Sequence, residues 1–472
     1  MDSLEARAQA ALTRRSSLSG LLVLALVAWL LATGRWGSYV GVPGLPIYIS
    51  EMVMVVVGLA ALVEHWRLAP PADVSRATFR RWAWFPLMGL VAWSVVRLVV
   101  GGPASVDGLR DFAPYGYAVV TVASVLRPVR TRIAVPVVLA ALVAHTAWVA
   151  AAHYALLPEA LPTLGRTSLF TIRADFDGAV CGVTAAWCVF LATRFRARHA
   201  WIGLLALAAA NLLLVFSLLS RAGLLAAFTA LVFLALSVAR PVRTWARGSL
   251  RNLGIAALVT LAVLGGATTL TVTSATGARL LSTFDFSEHR AEVGGAAAAG
   301  GTTKARLQVY DKVVRYTGLT PGRLMFGVGF GPNFLKDSGA APLLEGTTFR
   351  GVRAPHNILV NSLARLGILG ALLHLAVLVA GAALAGRFFL DRRTHPLGAL
   401  CATVVVALPV AALLGVILES PFAAIPYFWC FGWLAMKAPV TPAIAIRIGG
   451  AHRRAKGERV LETGSATARH RA

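Results

Sequence analysis

Residues 200–239 read AWIGLLALAAANLLLVFSLLSRAGLLAAFTALVFLALSVA, and Arg221 is the one charged side chain among them. A helix rises 1.5 Å per residue, so about 20 apolar residues cross a hydrocarbon layer ~30 Å thick. The stretch therefore reads as two membrane spans, 200–219 and 221–239, with the chain turning at Ser220-Arg221. The same reading carried outward gives twelve spans: 17–33, 50–66, 82–100, 112–126, 133–157, 177–195, 200–219, 221–239, 253–273, 357–386, 396–416 and 420–437. The fourth is short, and 357–386 is long enough to tilt or to break at Gly367 or Gly370. Composition agrees: of 472 residues, 57% are hydrophobic and 14% charged, against about a quarter charged in soluble domains. Mean hydropathy is +0.72. The expected fold class is all-α, a polytopic membrane protein, and the composition argues against a soluble enzyme.

A net charge of +25 would point to nucleic acid in a soluble chain. Here the basic residues fall mostly in short loops between apolar runs, where they set topology. One side holds 28 Lys and Arg, while the opposite short loops hold Arg35, Arg110, Arg166, Arg173 and Arg221. That asymmetry puts both termini in the cytoplasm and segment 274–356 outside. Four parts are expected: a membrane bundle over 1–273, an external loop domain over 274–356, membrane helices over 357–437 and a basic cytoplasmic tail over 438–472. The external segment far exceeds the usual 2–8 residues of a helix–helix connection, and long loops of this kind are usually functional. It becomes helix-like from Thr302 to Tyr316. The tail is explained by attraction to anionic lipid. Arg14-Arg15 precedes an apolar run without a convincing cleavage site, so an uncleaved first helix is expected. Cys181, Cys188, Cys401 and Cys430 all lie inside apolar runs, which leaves no readable disulfide framework or CxxC metal site.

Charges at the edges of spans are costly and invite a functional reading. Arg221 sits in a turn between two spans; an arginine reaching the headgroups accounts for it equally well. Arg306 and Tyr310 stand at i and i+4, so one helix face presents a guanidinium beside an aromatic ring. Arginine suits bidentate recognition of phosphate oxygens, though a solvated amphipathic helix gives the same pattern. Lys304 precedes them on that helix. His356 lies in Pro355-His356-Asn357, where the loop re-enters the membrane, and a neutral histidine there can accept a proton from an attacking hydroxyl. Asn357 and Asn361 share a helix face. Arg173 with Asp175 and Asp177 forms a smaller cluster that either binds substrate or closes a local salt bridge. Glu51, Arg97 and Glu419 lie at outer helix ends, where headgroup contacts are enough to explain them, and Arg365 needs a partner helix or a route to the surface. Gly327-Val328-Gly329-Phe330-Gly331 lacks the strand–turn–helix setting of a dinucleotide fingerprint and reads as a tight turn. No HExxH, Walker or GxSxG motif occurs, so neither metal nor other cofactor is expected.

Taken in order, Ser220-Arg221-Ala222-Gly223, the long loop with Arg306-x-x-x-Tyr310, Gly327-x-Gly329-x-Gly331, His356-Asn357 and Leu366-Gly367-Ile368-Leu369-Gly370 resemble the O-antigen ligase and O-antigen polymerase (WaaL/Wzy-type) superfamily. Tyr310 stands where family members usually carry tryptophan. The resemblance implies a helical GT-C-type membrane fold and glycan transfer on the outer face of the bacterial plasma membrane. The implied donor is an oligosaccharide or polysaccharide on polyprenyl diphosphate, and the acceptor a glycan, lipid or protein hydroxyl. It assigns Arg221, Arg306 and His356 to catalysis; Arg173, Lys304, Tyr310 and Asn357 are candidate substrate contacts. Ligase and polymerase share almost every motif, and the single late loop leans toward ligase. A secondary transporter or lipid-linked glycan flippase is the alternative of another class. Against it, the charges gather at one membrane face rather than at mid-membrane, where transporter sites usually lie.

Overall fold

The computed structural model describes residues 18–41, 48–67, 81–101, 105–126, 129–154, 163–164, 167–168, 172–194, 197–218, 220–245, 296–345, 353–390 and 395–436. The expected span 253–273, the first part of the external segment and the basic tail lie outside the described residues.

The described chain is almost wholly helical. Its elements are α1 (Leu18–Ser38), α2 (Ile49–Arg67), α3 (Arg81–Val100), α4 (Val106–Gly116), α5 (Val119–Leu126) and α6 (Thr131–His153). A two-stranded hairpin, β1 (Thr163–Leu164) with β2 (Thr167–Ser168), leads to α7 (Ala174–Ala192), α8 (Arg198–Ser217) and α9 (Arg221–Trp245). Then follow α10 (Ala296–Gly318), α11 (Pro321–Phe326), α12 (Phe334–Asp337), α13 (Pro342–Glu345), α14 (Ile358–Leu390), α15 (Pro396–Ala412), a 3₁₀ turn Ile417–Glu419 and α16 (Pro421–Ala435).

Among the described residues, six helices are long and apolar enough to cross a membrane: α1, α3, α6, α7, α8 and α14. α15 and the Arg221–Ala235 part of α9 are apolar but shorter. The expected count of twelve is therefore met only in part. The expected fourth span, 112–126, is not one helix. Its first third belongs to α4, which starts on a Ser105 cap donated to by Gly108 N–H and carries Asp107, Arg110 and Asp111 before the expected span begins; α5 follows separately.

α7 is the hub, with every residue from Phe176 to Ala192 buried. It meets α9 through small residues one turn apart. A Cβ on Gly178 would lie 3.1 Å from Gly223 Cα, and one on Gly182 would lie 2.3 Å from Ala227 Cβ. Small residues at such spacing let membrane helices approach to backbone contact, where dispersion and packing do the work that hydrophobicity does in water. The consequence is positional, because the first turn of α9, with Arg221, lies beside the first turn of α7.

α14 is two helices joined at Gly367, whose φ of 71° is outside the helical region. The carbonyls freed by the break are satisfied from elsewhere. Val328 N–H donates to Ala364 O (2.8 Å), Gly329 N–H to Arg365 O (3.0 Å) and Trp93 Nε1 to Leu366 O (2.9 Å). The glycine-rich stretch is thus the backbone complement of a helix break. Gly327 holds φ 71°, and a Cβ there would lie 2.3 Å from the Arg365 carbonyl carbon. Above the break, Val309 and Val313 of α10, Phe334 and Leu335 of α12 and Ala364 form a separate small core that seats the loop helices on α14.

Candidate active site

Three connections converge at one end of the bundle: the start of α7, the entry to α14 and the α15–α16 turn. Asn357 caps α14, its Oδ1 accepting from Leu359 N–H (3.0 Å) and Val360 N–H (3.1 Å), while its Nδ2 donates to Leu413 O (3.1 Å). His356, immediately before the cap, is buried and holds φ 61°. That left-handed backbone is uncommon for a non-glycine residue and needs the surroundings to enforce it. Tyr310 of α10 helps, its hydroxyl donating to His356 O at 3.1 Å. One turn earlier, Arg306 Nη1 donates to Leu414 O (2.8 Å). α10 and the α14 entry are therefore both tied to residues 413–414.

The start of α7 closes on the same turn. Arg173 pairs with Asp175 (Nε to Oδ1, 2.8 Å), and its guanidinium carbon stands 5.5 Å from the Phe422 ring centre. A Cβ on Gly415 would come within 2.8 Å of Asp175 Oδ2, so no larger residue fits between turn and cluster. Glu419 ends the 3₁₀ turn, and among the described residues its buried Oε1 has no hydrogen-bond partner. Beside it, Ser420 Oγ and the Tyr39 hydroxyl lie 3.0 Å apart.

The field of this cluster is felt by its titratable groups. Burial, and then the positive charges of Arg306 and Arg173, push His356 down to about 4. It is neutral at physiological pH, the form that accepts a proton. Burial pushes Glu419 up to about 8, although Arg365 and Arg173 pull the other way. At neutral pH the carboxyl is therefore mostly protonated, and the cationic excess of the cluster is not cancelled by it.

His356, Arg306, Tyr310, Asn357 and Arg173 are thus joined around one turn. Arg221 is half-buried at the neighbouring helix start, placed there by the contact of Gly223 with Gly178 and the Ala174 carbonyl. Lys304 lies on α10, but its side chain is outside those described. Glu419 carries more of the site's electrostatics than a headgroup contact would, and its one sequence signal is a lone acid between two apolar runs.

Other charged residues have structural work. Arg365 pairs with Asp111 (2.7 Å), and Asp111 also pairs with Arg353 (2.9 Å) and accepts from Gly331 N–H (3.0 Å). Arg97 Nη2 donates to Gly327 O (3.2 Å), and Glu51 accepts from the Tyr117 hydroxyl (2.6 Å). Among the described residues, no three His, Cys, Asp or Glu side chains gather where they could hold a metal ion.

A family model described as O-antigen ligase (Wzy_C) matches residues 205–375. The matched range runs from α8 through α9, α10 and the glycine stretch to the break in α14, and contains Arg221, Arg306, Tyr310, His356 and Asn357. The resemblance to the O-antigen ligase superfamily read from the motifs is shown by this match, and glycan transfer at a membrane is the activity class it supports. No curated protein matches the chain.

Proposed function

We propose that this protein transfers a glycan from a polyprenyl-diphosphate-linked donor to an acceptor hydroxyl, without a metal, on the outer face of a bacterial plasma membrane. The observation that carries the reading is the joining of Arg306, Arg173 and neutral His356 around residues 413–419. In the reaction the acceptor oxygen bonds to the anomeric carbon of the donor. The bond from that carbon to the diphosphate oxygen breaks, and polyprenyl diphosphate leaves with the electron pair. The acceptor's proton goes to His356.

Arg306 and Arg221, with Arg173, stabilise the charge that grows on the leaving diphosphate. A preorganised donor at such a place contributes roughly 2.7–4 kcal/mol. His356 is a weak base while two cations face it. A bound diphosphate offsets those cations, and an anion beside a histidine raises its pKa, so the base gains strength when the donor is in place. Tyr310 fixes the His356 backbone, and Asn357 fixes the helix entry behind it.

The test is a deletion strain complemented with wild type, Arg306→Ala or His356→Ala at equal expression. Full-length carrier-linked glycan accumulating without acceptor-linked product is the result expected for a ligase. Accumulating single repeats with no long chains would make the same site a polymerase. Normal finished glycans in all strains would remove the transfer reading and return transport to first place.

A further inference from the structure

The turn that follows α10 has an unusual surface for a loop outside a membrane. Leu319 is 68% exposed, Leu324 40%, Met325 48% and Phe326 48%. Thr320 caps α11, with Arg323 N–H donating to its Oγ1, and Pro321 opens the helix, so the segment is ordered as one turn.

Its depth can be read from two neighbours. The Phe326 ring centre lies 5.9 Å from that of Trp93. Trp93 is seven residues before Val100, the end of the apolar span Trp82–Val100, which places it about 10 Å along α3 from that end. The span itself is ~28 Å long, about the hydrocarbon thickness, so Val100 marks one edge of the apolar layer. Independently, the Met325 carbonyl abuts Gly367, where a Cβ would come within 2.2 Å of it, and Gly367 lies nine residues inside the α14 span that opens at Ile358. Val96 of α3 and Leu369 and Leu372 of α14, on the two spans that this turn packs against, are exposed as well.

Irregular backbone survives at such depth only where protein satisfies it. That condition is met here. Gly327 N–H donates to Arg323 O, Val328 and Gly329 N–H to the α14 break, and Gly331 N–H to Asp111. The carbonyls of Gly327, Gly329 and Gly331 accept from Arg97, Arg365 and Arg353. A loop lying in water would have no need of three arginines for three carbonyls.

We infer that Leu319–Gly331 is a re-entrant element whose corner, Leu324, Met325 and Phe326, lies among the acyl chains of the bilayer, about 10 Å inside the Val100 edge of the apolar layer. α10, which carries Arg306 and Tyr310, is thereby moored to the membrane at its C-terminal end. The leaflet follows from the orientation in the proposed function; the depth does not depend on that function.

Single cysteines at Leu324, Met325 and Phe326 test this in full-length protein reconstituted into phosphatidylethanolamine–phosphatidylglycerol vesicles. The four native cysteines are buried and give little background. Asp311→Cys on α10 is the water-exposed reference and Leu372→Cys the lipid-exposed one. Nitroxide labels at the three positions are expected to meet oxygen as Leu372→Cys does and to be shielded from a nickel chelate. An impermeant maleimide should react with them at least an order of magnitude more slowly than with Asp311→Cys. Reaction at the Asp311→Cys rate would place the corner in water and overturn the inference. Shielding from both oxygen and nickel would show the corner covered by protein, which overturns it equally. Three positions guard against a single variant that fails to fold, and the readout is independent of transfer activity.

Discussion

Arg353 and His356 are three residues apart, yet they belong to charge clusters of opposite kind. Around Arg353, ions pair with ions: Asp111 with Arg353 and Arg365, and Asp107 with Arg353. Around His356, the contacts made by the ionisable groups run largely to neutral atoms. Arg306 donates to a carbonyl, Tyr310 donates to another, and Glu419 is pushed toward its protonated form. Desolvated charges that close on each other hold a backbone in place, and removing one partner strands the other. Arg306 and Arg173 converge there, with Asp175 paired against Arg173 and Glu419 pushed toward its neutral form, which leaves a positive field for an anion from outside. The first cluster fixes the glycine stretch on the helix break; the second is where the proposed reaction seats its diphosphate. Arg353 and the α14 entry join them, so the ion-paired cluster serves as the frame of the site.

The comparison breaks first if the two clusters respond alike to mutation. His356→Ala is expected to lower kcat about 10²–10⁴-fold, and Arg306→Ala about 10²–10³-fold, with the thermal midpoint of purified protein unchanged in both. Asp111→Ala should do the reverse, lowering stability by about 3–5 kcal/mol because buried Arg365 loses its counter-ion. Thermal unfolding in detergent measures it; an unchanged midpoint would deny the ion-paired cluster its structural role. Gly182→Val probes the contact that places Arg221. A side chain there meets Ala227, and overpacking of that kind costs about 1–3 kcal/mol, again read as a lower midpoint, with reduced transfer as α9 shifts.

The smallest effects are in pH dependence. His356 titrates at about 4 without donor, so kcat/KM should hold well below the usual histidine range. A bound diphosphate raises that value, so the acid limb of kcat should lie at higher pH than the limb of kcat/KM. Glu419 loses its proton above about 8, which sets a carboxylate against the diphosphate and raises the KM for donor. Glu419→Gln should remove that basic limb. Coincident acid limbs, or a basic limb that survives Glu419→Gln, would contradict these assignments.

Much of this could be read from the chain because the signals are local. Long apolar runs with one-sided arginines marked most of the described spans, and Gly367 marked the break in α14, whereas Gly327–Gly331 read only as a tight turn and not as the partner of that break. The expected fourth span failed for a local reason too: its first residues belong to an amphipathic helix that begins upstream, at Val106, carries Asp107, Arg110 and Asp111 and ends at Gly116, so a separate helix starts at Val119. What could not be read depends on distance along the chain. Asp111 and Arg353 are 242 residues apart in sequence, and no periodicity links them. Glu419 looks like any acid at a helix end until its burial, and the charges of Arg365 and Arg173 acting on it, are known. The register of α7 on α9, which sets the first turn of α9, with Arg221, beside the first turn of α7, resides in four small residues that carry no chemistry of their own.

The central claim is that the cluster around His356 moves a glycan from carrier to acceptor. The direct measurement is release of polyprenyl diphosphate, with acceptor-linked glycan counted in parallel, from a carrier-linked donor in vesicles containing wild type, His356→Ala or Arg306→Ala. Equal amounts of both products from wild type and neither from the variants, at matched protein and midpoint, is the predicted result. Product formation by both variants at the wild-type rate would contradict the account.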